Sequence, residues 1–213
     1  MGKIKQGILG GLSGKVGNVI GANWKGIDYL RIKPSSVANP RTPGQVDQRS
    51  KFSTVLRFLQ PMTDFLKVTF RQYASGMTQF NAAMSYNLNN AVTGVYPDFA
   101  IDYPNALVSR GNLTTPADGA ATSTTAAELD LTWTDNSGTG SAMATDKALI
   151  VAINSVRGEA VFTTAGPARS TGAALLNLPA EYSGENLEVY LGFISEDGSK
   201  VSNSVYLGSV SIA

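Results

Sequence analysis

Leu129-Asp130-Leu131-Thr132-Trp133 is the stretch on which the fold turns. Apolar and polar side chains alternate with period two. That places three apolar groups on one face of a strand and leaves the other face to water. Further strands follow it. Ala148 to Ile153 is a continuous apolar run, and Ala160 to Thr163 is a short one. Ala174-Leu175-Leu176-Asn177-Leu178-Pro179 alternates, as do Leu187, Val189, Leu191 and Phe193. Val201, Val205, Leu207 and Val210 complete the set, and Asp135-Asn136-Ser137-Gly138 and Asp197-Gly198 are turn formers. Six or seven short strands in about 100 residues predict an all-β sandwich over residues 106–213. Its expected core is Leu131, Trp133, Leu176, Leu178, Val189 and Leu191.

The preceding residues, 1–105, read differently, as an α+β region. Residues 14–34 predict a β-hairpin, with Val16, Val19 and Ile20 on one arm and Ile27, Tyr29, Leu30 and Ile32 on the other. Lys25-Gly26 is its turn, because glycine accepts a positive φ. Thr42 then caps a helix with Pro43 at its first position and Gln45 three residues beyond the cap. Val46, Phe52, Val55, Leu56 and Leu59 form its apolar stripe, while Asp47, Arg49, Lys51 and Arg57 face solvent. Pro61 ends that helix and opens another, with Phe65, Leu66, Thr69, Phe70 and Tyr73 on its apolar face. Thr78 caps a third, carrying Phe80, Met84 and Leu88 at four-residue spacing. The helices are expected at 43–59, 61–73 and 78–91. Tyr96 to Tyr103 reads as a short edge strand, and Ala106 to Ser109 as the first strand of the sandwich domain. Residues 114–127, small and polar, read as a loop near the domain boundary.

The back half resembles fibronectin type III and other immunoglobulin-like domains. Leu129 to Trp133, Ala174 to Pro179, Asn186 to Phe193, Asp197-Gly198 and the Val201 to Val210 strand carry the resemblance, with Trp133 at the position of the family's core tryptophan. It implies an immunoglobulin-like sandwich and no chemistry. The whole chain is similar to an uncharacterised family of Bacteroidota proteins of like length. The carriers are Gly14-Lys15-Val16-Gly17-Asn18-Val19, Trp24-Lys25-Gly26, Asn39-Pro40-Arg41-Thr42-Pro43 with Gln48-Arg49-Ser50-Lys51-Phe52, Phe80 to Met84 and Leu107 to Gly111. The segment Asn39-Pro40-Arg41-Thr42-Pro43 with Gln48-Arg49 and Phe52 is also similar to one in phage-derived proteins of unknown role, a resemblance that points toward a virion-like structural part.

The chain has no Cys and no His. This removes disulfides, Cys- and His-based metal sites and every nucleophile–base pair built on those residues. No stretch approaches the roughly 20 apolar residues of a membrane-spanning helix. Glycines at 7, 10, 11, 14 and 17 break any signal-peptide core. The expectation is cytoplasmic synthesis without a signal peptide, with export, if any, inside an assembly. The net charge of +1 hides a division. Through Leu113 there are 13 basic side chains against 5 acidic, a net of +8; from Thr114 on there are 4 against 11, a net of −7.

No catalytic, cofactor-binding or metal-ligating constellation emerges, and the reading is that the chain is not an enzyme. The N-terminal glycines lack the Gly-Lys-Ser/Thr of a phosphate loop. Asp98 with Asp102 and Glu196 with Asp197 come with no readable pocket. Asp135, Asn136, Asp146 and Asp197 fit no calcium loop. The interaction candidates are basic and aromatic: Trp24, Lys25, Tyr29, Arg31, Lys33, Arg41, Arg49, Lys51 and Arg57. The expectation is a structural protein that joins itself, or other structural proteins, through a basic front and an acidic back. A glycan- or surface-binding module on the sandwich is the alternative. Nucleic-acid binding by the basic half is the third.

Overall fold

The structure is a computed structural model, which describes residues 3–4, 11–36, 39 and 41–213. The chain forms two compact units, Met1–Gln45 and Val46–Ala213. The first unit is an antiparallel sheet of order β1-β2-β3-β4, with β1 Lys3–Ile4, β2 Leu12–Val16, β3 Val19–Trp24 and β4 Ile27–Ile32. The β3–β4 turn is Lys25-Gly26, with φ of 48° and 84°. Positive φ at both central residues is what the twist of a two-residue hairpin requires. The Asn23 side chain braces this turn, donating to Asp28 Oδ1 at 2.7 Å and accepting from the Gly26 amide at 3.2 Å. The expected hairpin 14–34 is in fact two hairpins. A further turn at Gly17-Asn18, with Gly17 at φ 59°, splits its first arm into β2 and β3.

Helix α1 spans Pro43–Leu59, α2 Thr63–Thr69 and α3 Gln79–Asn90. Single 3-10 turns at Gln60–Met62 and Arg71–Tyr73 interrupt the expected helix 61–73 at both ends. The Thr78 hydroxyl accepts from the Asn81 amide at 3.1 Å and caps α3. On α1 the buried side chains are Val55, Phe58 and Leu59. Phe52, placed on the apolar stripe by its spacing, is 49% exposed. A two-stranded hairpin follows, β5 Val92–Val95 with β6 Asp98–Ile101.

The remaining strands make a sandwich of two antiparallel sheets. One has the order β10-β9-β12-β13 and the other β11-β8-β7. The strands are β7 Ala117–Thr122, β8 Glu128–Thr134, β9 Lys147–Asn154, β10 Glu159–Thr163, β11 Ala173–Asn177, β12 Asn186–Ile194 and β13 Val205–Ser211. Leu129, Leu131, Trp133, Leu176, Ile150, Val189, Leu191 and Phe193 fill the space between the sheets. A second core lies on the other side of β9 and β12. There Leu149, Val151, Ile153, Tyr190 and Ile194 pack with Val55, Phe58, Leu59, Phe65, Leu66 and Phe70 of the helices.

That second core corrects the expected boundary at 105/106. The helices cannot be cut from the sandwich, because their apolar faces are buried against it; the chain divides at Gln45/Val46 instead. Residues 106–109 are not a strand. They cross between the helices and the sandwich, with the Ser109 hydroxyl donating to the Ser202 carbonyl at 2.8 Å and the Leu107 amide donating to Asn87 Oδ1 at 3.0 Å. The expected loop 114–127 holds strand β7. Its small residues fit a tight place: a Cβ on Gly119 would stand 2.7 Å from Leu207 Cδ2. Backbone pairing with β8 forms this strand without the branched side chains that usually announce one.

Candidate functional site

The sheet of the first unit has exposed large apolar side chains on both faces. All six residues of β4 are exposed. Ile27 is 67%, Leu30 63%, Ile32 77%, Trp24 51% and Tyr29 44% exposed. Gly21 is the one buried residue of the unit among those described. Strand register sorts the side chains. Trp24 lies opposite Ile27, Ala22 opposite Tyr29, and Lys15, Ile20 and Arg31 lie side by side across three strands. One face therefore presents Trp24, Ile27 and Tyr29 beside Lys15 and Arg31. The other presents Val16, Val19, Leu30 and Ile32. A sheet of this size needs an apolar face buried against something to be stable. Residues 1–45 carry seven basic side chains against the single acid Asp28, a net of +6, and the rest of the chain carries −5.

The interaction candidates fall on both units. Trp24, Lys25, Tyr29 and Arg31 stand on the β3–β4 hairpin and Lys33 just beyond it, its amide bonded to the Asn18 carbonyl at 2.7 Å. Arg41 is exposed ahead of α1. Arg49 and Arg57 are exposed on α1, where Lys51 pairs with Asp47 at 3.1 Å and lies 4.9 Å from the Phe99 ring. The structure thus brings together the hairpin candidates and leaves the α1 candidates on a different unit. The expected core residues Leu131, Trp133, Leu176, Leu178, Val189 and Leu191 all lie buried in the core between the sheets.

The sequence reading missed the apolar half of this surface. Ile27 and Tyr29 point one way and Leu30 and Ile32 the other, so β4 breaks the rule that one face of an antiparallel strand turns polar when it meets water. That breach was the available signal. Also missed was the outer face of the β11-β8-β7 sheet. It bears Glu128 and Asp130 of β8, Asp118 of β7 and Leu175 of β11, the last 52% exposed. These three strands contain no Lys or Arg.

Among the described residues four ion pairs occur, Lys51–Asp47, Lys67–Asp64, Arg157–Glu185 and Arg169–Asp146. Each joins partners on the same side of the +8/−7 division. Asp146 and Asn136 are both bonded to Arg169, at 3.1 and 2.6 Å. Asp197 accepts from Ser195 and Ser199, which draws its carboxyl down to about 2. Asp102 accepts from the Asn105 side chain at 2.8 Å. Asp102 and Asp197 are therefore turn groups and Asp146 a core group. No cluster of three metal-ligating side chains occurs among the described residues. A cleft of about 840 Å³ lies between α1, β6 and the β9–β10 turn, lined by Arg57, Phe58, Phe99, Tyr103 and Arg157. Its Arg157 is already held by Glu185 through bonds of 2.7 to 2.9 Å, which raise the arginine's pKa and lower the glutamate's. No helix among the described residues is long and apolar enough to cross a membrane.

The chain belongs to DUF6266, a family of unknown function, whose match spans residues 11–208 and so takes in both units. No curated protein matches it. Among solved structures it is similar to the fn3 domain of the human collagen alpha-1(XX) chain. The identity is 14%, with 48% of this chain and 87% of that one covered, and the TM-score is 0.37.

Proposed function

We propose that this family member is a non-catalytic assembly protein, in which the basic N-terminal sheet of one copy docks on the acidic outer face of the β11-β8-β7 sheet of another. The observation that carries the reading is β4: six exposed residues, four of them large and apolar, in a unit of net charge +6. The face holding Trp24, Ile27 and Tyr29 matches Leu175, Ala173 and Ala120 of the outer face in apolar character. Arg31 and Lys15 match Asp130 and Glu128 in charge. Two sheet faces of opposite charge with exposed apolar groups pack face to face as the layers of a sandwich do. The contact joins different surfaces of the two copies. It therefore propagates into a ring or filament, as a subunit of a virion-like or other repeating particle would.

Size-exclusion chromatography with light scattering tests this. Oligomers are expected at low salt and are expected to dissociate as salt rises. Arg31→Glu and Asp130→Lys should each weaken association, and the double variant should restore it in part. A monomer at all concentrations in low salt overturns the reading. So does association that ignores both charge reversals. Binding of DNA or RNA with a steep salt slope and no self-association would instead favour the nucleic-acid reading.

A further inference from the structure

Arg110 lies on the second unit. Its guanidinium carbon sits 4.2 Å from the centre of the Tyr73 ring and 4.9 Å from that of Tyr86. The side chain has no carboxylate partner among the described residues. Its backbone is fixed, since the Arg110 amide donates to the Thr69 carbonyl at 3.3 Å and the next amide, of Gly111, donates to Asn203 Oδ1 at 3.1 Å. Tyr73 is fixed in turn by its hydroxyl, 3.3 Å from Asn112 Oδ1. The two rings hold the cation by its charge and leave its fork of N–H donors without an acceptor.

Arg110 forms one wall of a pocket of about 380 Å³. Ser85, Asn89 and Asn90 in the C-terminal half of α3 line the same pocket. Both asparagines are committed through their amino groups. Asn89 Nδ2 donates to the Ser85 carbonyl at 2.8 Å, and Asn90 Nδ2 donates to the Tyr86 carbonyl at 2.7 Å. Each therefore keeps its side-chain oxygen as an acceptor. The pocket offers a planar bidentate cation, backed by two aromatic rings, together with hydroxyl-seeking acceptors. A carboxylate answers the first and hydroxyls the second.

We infer that the Arg110 pocket binds a hydroxylated carboxylate, the chemical class of a uronic acid in an acidic polysaccharide. The pocket uses none of the residues of the assembly proposal, and either can fail alone. The probe is a trimer of galacturonic acid, followed by NMR at the Arg110 Nε–H resonance and by titration calorimetry. A neutral galactose trimer, acetate and inorganic phosphate serve as comparisons. The trimer of galacturonic acid is expected to bind and shift that resonance, and the neutral trimer is not. Arg110→Gln should weaken binding roughly tenfold or more, as losing a charge-assisted pair does. Arg110→Lys, which keeps the charge and loses the fork, should also weaken it. Unchanged melting of both variants separates a binding loss from unfolding. Binding that survives Arg110→Gln overturns the inference, as does absence of binding to the wild-type protein. Acetate or phosphate binding as tightly as the trimer overturns the assignment of class, since it would show a contact to charge alone.

Discussion

Arg169 and Asp146 form an ion pair with both side chains wholly withdrawn from solvent, Nε to Oδ2 at 3.1 Å. The remaining guanidinium donors reach Asn136 Oδ1 at 2.6 Å and the Thr114 carbonyl at 2.9 Å, and the cation lies 3.8 Å from the centre of the Phe193 ring. The Arg169 carbonyl accepts from the Trp133 indole at 2.7 Å, and Asp146 also accepts from the Met143 amide at 2.9 Å. One arginine thus ties β8, the 135–146 loop and the entry to β7 into one polar knot at the end of the sandwich.

A buried pair of this kind is costly to break from one side, because the surviving charge is left alone. Asp146→Asn should destabilise the second unit by about 3–5 kcal/mol. Arg169→Met, which strands the aspartate, should cost a similar amount. Replacing both by apolar residues should cost less than either single change. Chemical denaturation of the four proteins measures this. Additive losses in the double variant would show that the two groups do not act as a pair.

Four tyrosines, Tyr103, Tyr182, Tyr190 and Tyr206, are held above the ordinary phenol range, and in each the leading cause is burial. Tyr182 is pushed to about 12, burial coming first and its hydrogen bond to Glu159 second. A raised folded pKa means that the fold keeps a proton the unfolded chain has released. The stabilisation is complete below about 10, the unfolded value. It is lost as pH climbs through the folded value. The melting temperature should therefore fall between pH 10 and 12, with absorbance at 295 nm reporting late phenolate formation. Tyr182→Phe should flatten that fall; an unaltered slope would remove Tyr182 from the account.

How far the sequence disclosed this fold depends on what each residue's environment asks of it. The sandwich strands were legible because water on one side and a core on the other impose alternation, as in Leu129 to Trp133. Ala148 to Ile153 is legible as a strand, and its composition says more than that. A continuous apolar run marks a strand buried on both faces. Here Ala148, Ile150 and Ala152 face one core while Leu149, Val151 and Ile153 face the other. Read that way, the run already says that the helices pack on the sandwich, which removes the boundary at 105/106. Strand β7 was illegible because close packing against Leu207 requires residues that look like loop. The Arg110 pocket was illegible for another reason. Tyr73, Tyr86 and Arg110 are brought together only by tertiary packing, and no spacing rule links them.

The assembly reading makes its sharpest demand at Gly21. A Cβ there would lie 2.0 Å from the Leu12 carbonyl oxygen, so β2 and β3 must separate to admit it. Gly21→Ala should therefore disrupt the N-terminal sheet, at the roughly 1–3 kcal/mol that overpacking costs. The units Met1–Gln45 and Val46–Ala213 are separately compact, so melting of the second should stay within about 0.5 kcal/mol of wild type. Gly44→Ala is the matched control, since its added methyl meets nothing within 4 Å. Self-association at low salt should be lost in the Gly21 variant and kept in the Gly44 variant. If Gly21→Ala still assembles, the folded sheet is not the docking element, and the exposed apolar groups of β4 have some other purpose.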